Sequence, residues 1–281
     1  MIIFKEPASL ATFLNEKRRL QKSLGFVPTM GALHAGHLLL INESRAGNDL
    51  VVASIFVNPT QFNDAKDFQK YPKTIEKDVY ALEKAGCDGL LLPDVEGMYP
   101  DGTGNGQVYD LGSLETKLEG FYRPGHFQGV CRVVHRLLDI VQPDRIYLGQ
   151  KDFQQCMVIK RLISIIGSEA KVVVCPTLRD ADGLAMSSRN MRLNPDQRLT
   201  ATGIYEALDE VRQNQHTKQV QELEASAVSS LTARGFRVDY VKIVDASNLE
   251  PVAQISSGKK MVALAAAYLD DIRLIDNIFL N

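Results

Sequence analysis

The chain has 281 residues, of which 45% are hydrophobic and 23% charged, and its formal net charge is −2. This composition is typical of a globular protein with a sizeable core and excludes a largely disordered chain. Because the net charge is close to zero, nucleic acid and anionic membranes are not indicated as partners. The amino terminus lacks the pattern of a secretory leader and no apolar run reaches membrane-spanning length, so we predict a cytoplasmic protein.

The first predicted elements are a short buried strand that ends at Phe26 and Val27 and an apolar helical run that begins at Leu38. Pro28 and Gly31 interrupt the chain between them. The turn exposes a helix N-terminus, where unpaired backbone N–H groups and the helix dipole favour an anion. The sequence therefore predicts a phosphate site at this turn.

Strand-like and helix-like segments continue to alternate up to residue 176. The predicted strands are 50–57, 89–93, 145–148 and 171–175, and the predicted helices are about 72–86, 127–141 and 153–166. Strands that read as continuous apolar runs between helices predict a parallel sheet covered on both faces. We therefore expect an α/β fold with a Rossmann-like parallel sheet flanked by helices in a domain spanning residues 1–176.

A different pattern follows from residue 177. Two helices are predicted at about 195–214 and 218–234, and short strands at 236–244, 260–264 and 272–276. The strands alternate or run apolar in the manner of an antiparallel sheet. Residues 177–281 are thus predicted to form a smaller C-terminal α+β domain.

Four cysteines lie far apart, and none forms a Cys-x-x-Cys pair: Cys87, Cys131, Cys156 and Cys175. Each lies in or beside an apolar segment. The pattern favours reduced and mostly buried thiols over a disulfide framework or a metal site.

His34 and His37 are three residues apart and share one helical face above the predicted anion site. Each ring can donate a hydrogen bond to a phosphate oxygen, which counts most where negative charge grows in a transition state. Two alternatives remain at this point. The pair resembles half of a zinc site, although no third ligand pattern accompanies it, and histidines also occur simply as helix-start residues.

Three further polar segments follow predicted strands or the domain junction. Gln61 and Gln155 are uncharged side chains that can both donate and accept hydrogen bonds without fixing an ion in the site. Lys151 follows the strand at 145–148, where an ammonium can meet a phosphate, and the segment 187–189 supplies two hydroxyls and a guanidinium. Taken singly, each has an ordinary explanation as a turn, a cap or a solvated side chain.

Five ordered segments together resemble the pantothenate synthetase (pantoate–β-alanine ligase) family across nearly the whole chain. They are PTMGALHAGH at 28–37, FVNPTQF at 56–62, FYRPGHFQGV at 121–130, GQKDFQQ at 149–155 and MSSRN at 186–190. The His-x-Gly-His element alone indicates the wider nucleotidyl-transferase superfamily. The segments around Gln61 and around Arg123 and His126 narrow the resemblance from that superfamily to the pantothenate synthetase family.

The resemblance implies a two-step reaction in which pantoate attacks the α-phosphate of ATP to give pantoyl adenylate and pyrophosphate. β-Alanine then attacks the adenylate and releases pantothenate and AMP. Mg²⁺ is expected to arrive with ATP, held largely by phosphates and water. Because water must be excluded from the adenylate, the smaller C-terminal domain is expected to act as a lid. The family also implies a homodimer, with no nucleic-acid or membrane partner.

By matching positions, the resemblance implies catalytic roles for His34, His37, Lys151 and Arg189, with His37 as proton donor. The remaining positions are assigned to ligands. The ATP site is expected to comprise Met30, Gly31, Ala32, Leu33, His34, Ala35, Gly36, His37, Gly149, Gln150, Lys151, Asp152, Leu178, Met186, Ser187, Ser188 and Arg189, and the pantoate and β-alanine site Gln61, Gln155, Met30, Phe62, Arg123 and His126. Gln150 replaces a glutamate of many family members, so no carboxylate role is assigned there.

Three other functions are compatible with a nucleotide-binding fold, and the sequence disfavours each of them. A cytidylyltransferase-like enzyme would require extra cations for a phosphorylated substrate, which the neutral Gln61 and Gln155 do not supply. A nucleotide-binding regulatory module would not require the donors His34, His37, Lys151 and Arg189. A tRNA-charging role is disfavoured by the near-neutral charge.

Overall fold

The computed structural model describes residues 1–104, 106–256 and 258–280. The chain forms two compact units, Met1–Pro176 and Thr177–Asn281. Each unit has its own sheet and its own apolar core. Within the described ranges, no helix has both the length and the apolar character that crossing a membrane requires.

The larger unit is built on a parallel sheet of six strands. The strands are β1 (Ile2–Phe4), β2 (Leu24–Thr29), β3 (Leu50–Ile55), β4 (Gly89–Leu91), β5 (Arg145–Gly149) and β6 (Lys171–Cys175), in the spatial order β1-β4-β3-β2-β5-β6. The helices are α1 (Pro7–Arg19), α2 (Ala35–Gly47), α3 (Ala65–Gln69), α4 (Ile75–Lys84), α5 (Val95–Met98), α6 (Leu118–Tyr122), α7 (His126–Val141) and α8 (Phe153–Ile166). The predicted α/β class with a parallel sheet flanked by helices is confirmed.

Both faces of this sheet are buried. Phe26 and Val27 are adjacent in β2 and fully buried, yet they belong to different apolar clusters. Since successive strand residues point to opposite faces, Phe26 packs in the cluster that includes α1, α7 and α8, and Val27 in the cluster that includes α2 and α4. A strand covered on both faces is apolar at nearly every position, which explains the continuous apolar runs in the sequence.

The strand order reverses beside β2. This strand pairs with β3 on one side and with β5 on the other. The connections that leave the carboxyl ends of β2 and β5 therefore run in opposite directions across the sheet. Such a divergence opens a crevice, and it is the place where open α/β sheets bind their ligands. The connection after β2 carries His34 and His37, and the connection after β5 carries Lys151.

The smaller unit contains an antiparallel sheet of three strands and three α-helices among its described residues. The strands are β7 (Arg237–Asp245), β8 (Met261–Leu269) and β9 (Ile272–Leu280), in the order β7-β8-β9, and the helices are α9 (Pro195–Ala201), α10 (Gly203–Asn214) and α11 (Val220–Ala233). Helix and strand residues share one buried cluster, with Leu208 and Ile243 fully buried. The α+β prediction for this region is confirmed.

The single helix predicted at 195–214 is wrong, because Thr202 separates α9 from α10. The Thr202 hydroxyl donates to the carbonyl oxygen of Leu199 at 2.9 Å. A hydroxyl that donates to a backbone carbonyl oxygen competes for it with the backbone amide of the next turn. Such competition weakens the continuity of a helix. Apolar periodicity alone does not reveal this break.

All four cysteines are free and buried, as predicted. Burial is the main cause that raises the pKa of each thiol, to about 11 for Cys87 and Cys175 and to about 12 for Cys131 and Cys156. Thiols with these pKa values remain protonated at neutral pH, so they are poor nucleophiles.

Gly129 lies inside α7 where this helix meets the 3-10 helix Pro59–Gln61. A Cβ at this position would come within 2.1 Å of the Thr60 carbonyl oxygen. Alanine is normally favoured over glycine inside a helix, but here overpacking against backbone outweighs that preference. We expect Gly129→Ala to lower the free energy of unfolding by about 1–3 kcal/mol, measured by urea denaturation.

Gly104→Ala is the matched control, because no atom lies within 4 Å of a Cβ built at Gly104. Its free energy of unfolding should stay within about 0.5 kcal/mol of the parent protein. A Gly129→Ala protein as stable as the parent would contradict the packing described for this contact.

Candidate active site

The connection from β2 to α2 makes a tight turn before the helix starts. Gly31 has φ +79° and Ala32 has φ +50°, so two successive residues occupy the left-handed region. A side chain at position 31 would be strained, and its Cβ would come within 3.0 Å of Ile55 and 3.1 Å of Asp78. His34 then adopts an extended conformation and caps α2.

The two histidine rings are oriented by the backbone of their own turn. The amide of Gly36 donates to Nδ1 of His34 at 3.2 Å, and the amide of His34 donates to Nδ1 of His37 at 3.3 Å. Because a backbone amide always donates, each Nδ1 must accept, and the proton of a neutral ring lies on Nε2. The ring centroids are 4.1 Å apart. The pair therefore offers two N–H donors of known tautomer.

His37 is partly buried, and its ring is held in the neutral form. Burial and the nearby His34 and Lys151 lower the pKa of His37 well below its usual value of 6.5. Lys151, on the connection after β5, is thus among the groups that lower the pKa of His37. At neutral pH His37 is therefore a neutral Nε2–H donor.

The prediction of unpaired backbone amides at this helix start is wrong in part. Five amides around the turn already have acceptors within the protein, so they do not offer free N–H groups to an anion. The pairs are Gly31 to Thr29 Oγ1 at 3.2 Å, Ala32 to Asp78 Oδ2 at 2.9 Å, Leu33 to Asp78 Oδ1 at 2.8 Å, His34 to His37 Nδ1 and Gly36 to His34 Nδ1. Side chains must therefore carry most of the recognition of an anion here.

Sequence reasoning missed Asp78. This residue lies on α4 and is 2% exposed, and it shares the buried face of the helix with Leu82, four residues later. An acidic residue on the apolar face of an amphipathic helix is unusual, and that pattern was the available signal. Its partners in the turn before α2 are more than forty residues away in the chain, so the pattern could not identify them.

Gln61 is held by a second buried side chain that sequence reasoning also missed. Asn58 is fully buried and donates from Nδ2 to Oε1 of Gln61 at 3.2 Å and to the carbonyl oxygen of Gly129 at 3.1 Å. The Gln61 Nε2 lies 3.1 Å from the sulfur of Met30. Since Oε1 is taken, the amide of Gln61 presents its N–H₂ side as donor beside Met30.

His126 and Arg123 were expected to contact substrate. The structure instead buries His126 and connects its ring to Gln61: Nδ1 lies 2.7 Å from the Gln61 carbonyl oxygen, which must accept, and Nε2 lies 3.1 Å from a guanidinium nitrogen of Arg123. Arg123 also lies 3.7 Å from the Glu119 carboxylate. The His126 ring thus contacts the backbone at Gln61, and Arg123 contacts that ring. Substrate contact by either residue stays a prediction.

The segment after β5 forms the 3-10 helix Gln150–Asp152 and leads into α8. Lys151 is largely buried, and its ammonium lies 3.6 Å from the Asp152 carboxylate. Two adjacent glutamines differ in role. Gln154 is buried and donates to the carbonyl oxygens of Leu114 and Lys117, whereas Gln155 is partly exposed on the first turn of α8. Gln155 is therefore the one that can meet a ligand.

Leu178, Met186 and the segment Ser187 to Arg189 belong to the smaller unit. The Ser187 hydroxyl accepts from the Arg189 amide at 3.3 Å and caps the 3-10 helix Ser188–Arg192. Two arginines of the smaller unit hold the turn that precedes Ser187. Arg179 binds both carboxylate oxygens of buried Asp276, and Arg198 binds Asp182 at 2.7 Å and Asp180 at 2.9 Å.

A zinc site at His34 and His37 would require a third protein ligand. In the described part of the chain, no three His, Cys, Asp or Glu residues come together in a way that could hold a metal ion. The fold instead places the imidazoles of His34 and His37, the ammonium of Lys151 and the amide of Gln61 on connections that follow the carboxyl ends of β2, β5 and β3. Such a set suits a polyphosphate next to a small polar substrate.

The chain resembles known proteins along nearly its whole length. A family model for pantoate-beta-alanine ligase matches residues 2–279. The chain is 42% identical over 279 residues to a pantothenate synthetase of Porphyromonas gingivalis, with 99% of each chain covered. A crystal structure of pantothenate synthetase from Thermus thermophilus superposes with a TM-score of 0.91 at 42% identity, covering 99% of each chain.

A second solved structure carries ligands. It is a pantoate-beta-alanine ligase from Francisella tularensis complexed with beta-gamma ATP and beta-alanine, with a TM-score of 0.83 and 37% identity, and the match covers 99% of this chain and 97% of that one. Both the family model and these relatives span the two units described above. The chain therefore belongs to the pantoate-beta-alanine ligase family.

Proposed function

We propose that this protein is an ATP-dependent ligase that condenses pantoate with β-alanine to give pantothenate. In the first step a pantoate carboxylate oxygen attacks the α-phosphorus of ATP, and the bond to the bridging oxygen of pyrophosphate breaks. In the second step the amine of β-alanine attacks the acyl carbon of pantoyl adenylate, and AMP leaves. The observation that carries the proposal is the pair of Nε2–H imidazoles beside Lys151, in a chain of this family.

The first step moves negative charge onto the departing pyrophosphate, so it requires positioned donors and cations more than a strong nucleophile. We assign this task to His34, His37 and Lys151. The hydroxyls of Ser187 and Ser188 and the guanidinium of Arg189 have the chemistry of further phosphate ligands. The assigned ATP site keeps the positions expected from the resemblance: 30–37, 149–152, 178 and 186–189.

His37 begins the reaction as a neutral donor. A bound polyphosphate offers the ring an ionised acceptor, and a hydrogen bond to an ionised group is stronger than one between neutral groups. We propose that the Nε2–H bond of His37 first orients a phosphate oxygen and then stabilises the charge that develops on pyrophosphate. The backbone amide on Nδ1 keeps the ring in this orientation.

We assign pantoate and β-alanine to the site around Gln61, Gln155, Met30 and Phe62. The donor side of the Gln61 amide suits a carboxylate or hydroxyl oxygen, and Met30 and Phe62 supply apolar surface for the geminal methyl groups of pantoate. Mg²⁺ is proposed as part of the ATP substrate, held by phosphate oxygens and water, where it would neutralise phosphate charge. A cytoplasmic homodimer and a covering role for the smaller unit stay predictions.

Exchange of radiolabelled pyrophosphate into ATP tests the proposed reaction. The protein should catalyse this exchange only when pantoate is present, because the adenylate must form and reverse. Adding β-alanine should then release AMP in equal amount to pantothenate. Exchange that proceeds without pantoate would reject the ligase assignment.

Replacing His37 by alanine removes the proposed donor. We expect His37→Ala to slow adenylate formation by roughly 10²–10⁴-fold in a single-turnover measurement, the range for losing a positioned donor or general acid. His216→Ala is the control, because His216 is exposed on the smaller unit. A His37→Ala rate within a factor of about two of the parent enzyme is the result that excludes this role.

The lowered pKa of His37 has a consequence for stability. At pH values between this pKa and 6.5, the unfolded chain binds a proton that the folded protein does not, so stability falls as the pH is lowered. The effect of this residue should begin below about pH 6.5 and reach at most about 1.4 kcal/mol per pH unit. Urea denaturation from about pH 7.5 to pH 5 should show a smaller slope for His37→Gln than for the parent protein. Equal slopes would mean that folding does not lower this pKa.

A further inference from the structure

We propose that Asp78 is a positioning residue for adenylate formation, acting through the backbone of Ala32 and Leu33. The proposal rests on the proposed function, because it assigns Asp78 to the turn that carries the phosphate donors. The carboxylate accepts the Ala32 amide on Oδ2 at 2.9 Å and the Leu33 amide on Oδ1 at 2.8 Å. It thus holds two successive peptide groups with its two oxygens.

The carboxylate is itself rigidly placed. Asp78 is 2% exposed and lies on α4, and its Oδ1 also accepts the hydroxyl of Thr74 at 3.0 Å. The backbone amide of Asp78 donates to the carbonyl oxygen of Thr74 at 2.9 Å, which fixes the first turn of the helix beneath it. A buried side chain with three hydrogen bonds has little freedom, so it can impose a geometry on the turn.

The turn requires such support. Ala32 has φ +50°, a left-handed conformation that is unfavourable for a residue with a Cβ. His34 follows two residues later, and its conformation sets the start of α2 and the position of both imidazole rings. A shift of the Ala32 and Leu33 peptides would therefore move the donors relative to a bound phosphate.

If Asp78 is neutralised, the loss of its charge and the loss of its positioning role change the affinity for ATP in opposite directions. A carboxylate in contact with a phosphate-binding turn repels a bound polyphosphate, so neutralising it would strengthen ATP binding if charge alone mattered. Loss of positioning weakens ATP binding and slows the reaction, since small displacements of catalytic groups cost up to about 10²-fold. The sign of the change in ATP affinity therefore separates the two roles.

Asp78→Asn is the test variant, because it keeps the shape but replaces one acceptor oxygen with a donor that faces a backbone N–H. Asp88→Asn is the matched control: the Asp88 carboxylate also accepts a backbone amide, that of Val51 at 2.8 Å, but at the amino end of β3, away from the site. Thr74→Ala is a milder variant that removes one of the three hydrogen bonds of Asp78.

We expect Asp78→Asn to lower the rate of pantoate-dependent adenylate formation by about 10- to 100-fold and to raise the KM for ATP. The reaction of β-alanine with supplied pantoyl adenylate should change by less than about threefold, because that step has no pyrophosphate to hold. Thr74→Ala should show the same selective loss in smaller degree. Asp88→Asn should leave both steps near the parent rates.

Hydrogen exchange measured by NMR gives a readout that does not depend on catalysis. The amides of Ala32 and Leu33 should exchange faster in Asp78→Asn, with the rest of the β2–α2 region unchanged. Tighter ATP binding, an equal loss in both half-reactions, or unchanged exchange at these two amides would overturn the proposal. An inactive parent enzyme would instead reject the proposed function, while the exchange result would still decide whether Asp78 holds the turn.

Discussion

Two hydrogen bonds from backbone amides to imidazole nitrogens determine what the start of α2 can do. Helix N-termini have amides that need acceptors, and a serine or aspartate usually supplies them. Here His34 and His37 supply the acceptors through Nδ1, so capping the helix also leaves an N–H donor on each Nε2. The same two hydrogen bonds therefore satisfy backbone amides at the helix start and orient the two imidazole N–H donors. The cost of this arrangement is that the same amides are no longer available to an anion, which makes phosphate recognition a property of side chains.

The site is tied to the core on both of its sides. On the phosphate side, buried Asp78 holds the turn before His34. On the other side, buried Asn58 holds the Gln61 amide and the backbone of Gly129 in α7. Neither residue depends on a ligand for its position. The donors are thus preorganised, which is the condition under which hydrogen bonds stabilise a transition state more than a substrate.

Much of the fold could be predicted from the sequence, because strands buried on both faces read as continuous apolar runs. β6 and α8 were predicted with the bounds that the structure shows. The edge strand β1 was missed, since it has three residues and two of them are exposed, so it carries no such run. Asp78 and Asn58 were missed because their roles arise from contacts with distant parts of the chain. The pairing of the Ala32 and Leu33 amides depends on the same kind of tertiary contact, so the local sequence pattern does not reveal it.

The chemical state of the cysteines bears on the fate of a reactive acyl adenylate. Such a mixed anhydride acylates thiolates readily, and Cys156 lies close to the proposed nucleotide site, with its thiol 3.4 Å from the carbonyl oxygen of Gly149. Burial raises the pKa of this thiol to about 12, and the other three cysteines are buried with raised pKa values as well. Sulfur nucleophiles that stay protonated cannot compete with an incoming amine. In the proposed reaction the four thiols would therefore be poor acceptors of the acyl group.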